Sequence, residues 1–175
     1  MLREENFAGA LSEAHILDIL RDRRTLRAFI GGFSILLIVL AWTRNVNWDE
    51  FYFLSLVHEH LNGRLDRPMQ TGFVHGFGWL ARLPGDEMDQ IFIARLVMTA
   101  LFATTAYSVH RIAAHLSDRA SADVAVLAFI TSGFALAHGT SFRADPIAAA
   151  LLMGALAMMA TTRMKAWQVA AGAVR

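Results

Sequence analysis

Apolar residues in this chain gather in long uncharged runs rather than on a stripe that recurs every three to four positions. The first run covers Ala28 to Trp42 without a charge. With Thr25, Leu26 and a snorkelling Arg27 it reaches the length needed to cross a bilayer core of about 30 Å. A second runs from Ile91 to Val109 and is interrupted only by Arg95, a third from Val124 to Phe142, and a fourth from Pro146 to Thr162. The polar face that a water-soluble helical bundle needs is missing from these runs. The pattern predicts an all-α integral membrane protein of about four transmembrane helices, near 25–43, 91–110, 122–142 and 146–163.

Between the first two runs the chain changes character. In residues 44–90, WDEFYFLSLVHEHL and TGFVHGFGWLARL interleave charges, histidines and aromatics with short apolar patches. Each patch is too short to span but suits a helix lying along the interface, a depth favoured by Trp and Tyr. Gly63, Pro68, Pro84 and Gly85 punctuate them as turns. Residues 1–24 are polar, and Leu11, Ile16, Leu17 and Leu20 fit either an amphipathic helix on the cytoplasmic membrane surface or a solvated leader. No A-x-A-like site follows Trp42, so the first run reads as a retained helix. Residues 166–175 open a further mildly apolar stretch. Such a start of a fifth span is the expectation for a fragment or a truncated gene product.

Composition agrees: 55% of residues are hydrophobic and 18% charged, below the roughly 25% of soluble domains, and mean hydropathy is +0.41. A net charge of +1 gives no reason to expect a nucleic-acid partner. The absence of cysteine excludes disulfides, thiol catalysis and Cys-based metal sites. Arg21, Arg23, Arg24 and Arg27 crowd one flank of the first run, and Arg111, Arg119, Arg163 and Lys165 fall on the same side if the runs alternate. The outer arginines, Arg44, Arg64, Arg67, Arg82 and Arg143, are spread over longer segments. This distribution orients the N-terminus to the cytoplasm.

Two clusters carry candidate chemistry, and alternating crossings put them on one outer face. Asp49 and Glu50 follow the first span in NWDEFYF. Carboxylates held against a membrane usually have a partner or a task, such as a general base or a divalent-metal ligand, while the bland alternative makes Asp49 the cap of a helix starting near Glu50. In HGTSFRADP, Pro146 suits a helix's first turn and Asp145 suits its N-cap. The planar guanidinium of Arg143 beside that helix N-terminus suits phosphate, or a structural pairing with Asp49 or Asp145. His58 and His60 point different ways on a helix and lack the i, i+4 spacing of helical metal sites, whereas His75 and His138 could approach the outer cluster. Small residues such as Ala100, Ala103, Ala106, Gly154 and Ala157 let helices pack closely in lipid.

Together these residues resemble the N-terminal region of the GT-C membrane glycosyltransferases, the branch that includes protein O-mannosyltransferases and lipid A aminoarabinose transferases. The elements that carry the resemblance are Asp49-Glu50 after the first helix, a long outer loop with interfacial helices, Ala94-Arg95-Leu96 opening the second, and Arg143-Ala144-Asp145-Pro146 entering the fourth. They cover most of residues 25–165, and their specificity lies in order and topology. The resemblance implies inverting transfer of a sugar from a polyprenyl-phosphate carrier to an acceptor on the outer face; between a bacterial inner membrane and an endoplasmic reticulum, the absence of cysteine and the compact leader favour the bacterial one. It implies catalytic roles for Asp49 as base and Glu50 in support, and substrate-binding roles for Arg143 on the carrier phosphate and Asp145 in orienting or ligating. It names no cofactor beyond an optional divalent metal. Members generally have many more spans, so donor and acceptor pockets would need further helices of the same or a partner chain. The competing reading is a small non-catalytic multi-span subunit. A transporter would need polar or broken helices at mid-membrane, which the apolar runs do not suggest.

Overall fold

The computed structural model describes residues 22–65 and 71–162, and over these residues the chain is helical with no strand. In chain order the helices are α1 (Arg23–Thr43), α2 (Trp48–Leu61), α3 (Thr71–Phe77), a 3-10 turn (Leu80–Arg82), α4 (Glu87–Leu116), α5 (Arg119–Ile130), α6 (Gly133–His138) and α7 (Ala144–Thr161). The leader over 1–21 and the stretch over 166–175 lie outside the described residues.

Short polar side chains decide where these helices begin. Asp22 accepts from the amides of Arg24 and Thr25 to open α1, and the hydrogen bond from the Thr25 hydroxyl holds its carboxyl below the usual carboxylate range. At α2 a capping box forms between Asn47 and Glu50, with Asn47 accepting from the Glu50 amide at 3.0 Å and Glu50 accepting in return at 3.2 Å. Asp86 and Asp89 repeat the device at α4. Asp49 is therefore not the cap of α2, because Asn47 already occupies that position and leaves the Asp49 carboxylate for other partners. Nor does Asp145 cap α7: Arg143 is the N-cap residue, with extended backbone and no side-chain cap bond, and Asp145 stands in the first turn. Pro146 requires no amide there, so the turn tolerates it.

Three helices are long and apolar enough to cross a membrane: α1, α4 and α7. At 1.5 Å per residue they measure about 32, 45 and 27 Å. The third apolar run, expected as one helix over 122–142, is broken instead into α5 and α6. Thr131 bonds back to the Leu127 carbonyl at 2.8 Å, and Ser132 accepts from the Ala135 amide at 3.2 Å to start a new helix at Gly133. Alone, α5 reaches only about 18 Å. The broken segment nevertheless traverses the bundle: Asp123 of α5 lies against Arg23 at the start of α1, whereas Ala137 of α6 lies against Arg44 just past its end.

The central helix is α4, which packs most extensively on α7 and then on α5. Buried Pro146, Ala150 and Ala157 run along one face of α7 and permit close approach between helices. Leu37, Phe102, Val126, Ile130 and Ala135 form a core between α1, α4, α5 and α6. A second core joins the loop helices to the first half of α4: Leu54, Leu56 and Val57 of α2 meet Phe73, Val74 and Phe77 of α3, Leu80, Ile91, Ala94, Met98 and Phe142. The two patches of residues 44–90 are thus folded into a cap on one end of the bundle. The faces of α1 and α7 turned away from the bundle stay apolar and open, with Ile35 and Leu151 exposed by 64% and 70%. Such faces suit contact with lipid.

Candidate functional site

The cap and the bundle meet around one buried ion pair. Arg95, just over two turns into α4, and Glu50, in the first turn of α2, are 1% and 0% exposed and approach to 2.6 Å. The guanidinium Nε donates to Glu50 Oε1 at 2.8 Å and Nη2 to Oε2, a bidentate fork. Its remaining donors go to main-chain carbonyls of Ala41 and Arg44 at 2.9 Å and Asn45 at 3.2 Å, where the end of α1 leaves carbonyls without helical partners. Glu50 Oε1 also accepts from the Phe142 amide at 2.9 Å. One carboxylate and one guanidinium therefore tie the end of α1, the start of α2, the flank of α4 and the loop before α7.

Burial pushes the Glu50 carboxyl up, but hydrogen bonds from Arg95 and from the Phe142 and Asn47 amides, together with the Arg95 charge, more than offset this and hold it below its ordinary value of 4.5. A depressed carboxyl stabilises the fold above its unfolded pKa, and that contribution disappears as pH falls through the lower folded value. Thermal stability of the purified chain in detergent is expected to decline as pH is lowered below about 4.5, and Glu50→Gln should flatten this decline. An identical acid profile in the variant would assign the decline to other groups.

Arg44 reinforces the same joint. Its guanidinium donates to the Ala137 carbonyl and the Ser141 hydroxyl, while its Nε is buried without a partner among the described residues. Burial lowers this guanidinium from its usual value and the charge of Glu50 acts in the opposite sense. Thr140, Ser141 and Phe142 are buried, so the segment leading into α7 is held from both sides.

The residue beside each member of this joint faces outward. Asp49 precedes Glu50, Arg143 follows Phe142, and the two meet at 2.5 Å between Arg143 Nη1 and Asp49 Oδ2 although 94 residues apart in sequence. Arg143 Nε donates to Asp145 Oδ2 at 2.9 Å. The result is a partly exposed cluster of two carboxylates on one guanidinium, with a net charge of −1. Neither Asp49 Oδ1 nor Arg143 Nη2 has a partner among the described residues. Three of the four residues expected at the site, Asp49, Arg143 and Asp145, thus assemble at the surface; Glu50 lies beneath them and is closed to solvent.

The histidines do not join this cluster. His58 Nε2 bonds Gln90 Oε1 at 2.9 Å, His60 and His75 stack edge to face with ring centres 4.5 Å apart, and His138 packs on Phe134. Among the described residues no group of three or more His, Asp or Glu side chains is arranged to hold a metal ion. Sequence reasoning missed the structural task of Arg95 and Arg44. For Arg95 the signal was present, since a charge inside an apolar run requires a partner.

Helix lengths and apolar faces define an all-helical protein of membrane-protein type, with a polar cluster at one end of its bundle. The chain matches no family model, no curated protein and no solved structure.

Proposed function

We propose that this chain is the N-terminal part of a membrane glycosyltransferase, or a subunit of one, that moves a sugar from a polyprenyl-phosphate carrier to an acceptor on the outer face of a bacterial inner membrane. The reading is supported above all by the Asp49–Arg143–Asp145 cluster, held over a buried Glu50–Arg95 pair at one end of the apolar bundle. In this reading α1, α4 and α7 are three crossings and the broken α5–α6 segment is a fourth. The N-terminus is cytoplasmic, and α2, α3 and the 3-10 turn lie along the outer interface.

The chemistry follows from the free atoms. Asp49 Oδ1 takes the proton of the acceptor hydroxyl as that oxygen attacks the sugar's anomeric carbon, and the carrier phosphate leaves with the bonding electrons. Arg143 Nη2 meets the phosphate oxygens and offsets the charge that develops on them. Asp145 holds Arg143 through Nε and fixes the plane of the fork. Glu50 and Arg95 keep Asp49 and Arg143 adjacent without touching substrate. A divalent ion at this site would be held by Asp49 and Asp145 and would compete with Arg143 for them. Pockets for donor and acceptor are completed by further helices.

The test is transfer of labelled sugar from membrane polyprenyl-phosphate carriers in cells expressing the gene, wild type against Asp49→Asn at matched protein levels. Transfer is expected to drop roughly 100- to 10,000-fold in the variant, the range for loss of a general base. Equal transfer in both removes Asp49 from the site. Absence of transfer in both favours the non-catalytic subunit, for which the open apolar faces of α1 and α7 are docking surfaces.

A further inference from the structure

The opposite end of the bundle carries a second charged cluster, which the proposed reaction does not use. Asp123 of α5 is 4% exposed and is approached by Arg23 Nε at 3.1 Å, Arg27 Nε at 3.6 Å and His110 Nε2 at 3.3 Å. Arg23 and Arg27 are four apart on α1 and share a face. Both turn Nε toward the one carboxylate, and the terminal nitrogens of both have no partner among the described residues. Two guanidinium groups are thereby oriented by a single buried anion; the exposed carboxylate of Asp118 also interacts with the Arg23 charge, from the solvent side. Paired terminal N–H groups match the oxygens of a phosphate.

An apolar groove of about 230 Å³ begins about one turn from this cluster, along the same faces of the same three helices. From Arg27 the α1 face continues to Ile30, Ser34 and Leu37; from His110 the α4 face continues to Ala106 and Ala103; from Asp123 the α5 face continues to Val126 and Ile130. These stand three or four, seven, and for Leu37 ten positions from the charged residue of their helix, the spacings that keep side chains on one face. A phosphate alone would use only the charged end, whereas a lipid phosphate uses both. We propose that Arg23 and Arg27, oriented by Asp123, bind the headgroup phosphate of an anionic phospholipid whose acyl chain lies in the groove between α1, α4 and α5. The site is independent of any activity at the other end of the bundle.

The full chain, purified in detergent, is titrated with phosphatidylglycerol, phosphatidylcholine or inorganic phosphate, and bound lipid is counted by native mass spectrometry alongside thermal stability. Phosphatidylglycerol is expected to bind more tightly than phosphatidylcholine and to raise the unfolding temperature, while inorganic phosphate leaves it unchanged. Arg23→Gln with Arg27→Gln should weaken phosphatidylglycerol roughly fivefold per arginine, the effect of about 1 kcal/mol for each cation near a charged headgroup. Arg64→Gln with Arg82→Gln removes the same charge from the cap and should leave binding unchanged. Ala106→Leu fills the groove, keeps every charge, and should weaken phosphatidylglycerol as well. Equal affinity for the two lipids, an equal loss in the cap variant, or stabilisation by inorganic phosphate matching that by lipid overturns the proposal. Unaltered binding in Ala106→Leu overturns its acyl-chain half.

Discussion

Arg95→Met is expected to destabilise the folded chain by about 3–5 kcal/mol, the cost of leaving a buried carboxylate without its partner. Glu50 is fully buried, and Arg95 supplies both arms of the fork that neutralises it as well as the donors for three main-chain carbonyls at the end of α1. Methionine preserves much of the volume and removes the charge. Thermal or denaturant unfolding of the purified protein in detergent reads the effect. The double variant Arg95→Met with Glu50→Gln should recover part of the loss, because the buried carboxylate is then gone as well, although the α1 carbonyls still lack their former donors and Arg44 loses the charge beside it. A loss in Arg95→Met no larger than that in Arg82→Met, on the exposed part of the cap, would show that the pair contributes little.

Gly139→Ala is the second large expectation, and it rests on space alone. A Cβ on Gly139 would stand 2.6 Å from the Ala135 carbonyl oxygen and 2.7 and 2.8 Å from two carbons of the Phe102 ring. The ring has some freedom to move, but the carbonyl belongs to the backbone of α6. Overpacking of this kind typically costs about 1–3 kcal/mol, and here it presses α6 away from α4. Gly154, in the interior of α7, has nothing within 4 Å of the same added atom. Gly154→Ala should therefore be neutral or stabilising by about 0.5–1 kcal/mol through helix propensity. Opposite signs for the two variants in one unfolding assay would bear out the packing at Gly139; a neutral Gly139→Ala would contradict it.

Some of the site was legible before any coordinates. Asp49 and Arg143 stood out because charges beside long apolar runs require an explanation, and alternating crossings put them on one side. Their pairing depends on Asn47 capping α2 and on Glu50 holding the Phe142 amide, and neither bond has a pattern in sequence at that distance. Glu50 illustrates the limit. As a side chain it resembled its neighbour Asp49, but one helical position rotates a side chain by about 100°, which here separates solvent from the interior.

The sequence by itself determined that the chain is helical and has helices of membrane-spanning length, because unbroken apolar runs have few other stable arrangements. It also carried the signal that breaks the third run, Thr131-Ser132-Gly133, whose short polar side chains compete locally with the helix; hydropathy averaged over a window does not register it. Only the tertiary structure decided which charges meet. Arg95 takes Glu50 rather than Asp49, Arg143 is shared between Asp49 and Asp145, and Asp123 gathers two arginines and a histidine from other helices. Apart from the local Arg143–Asp145 bond, such choices rest on contacts a few ångströms long between residues distant in sequence, and those contacts exist only once the helices have packed.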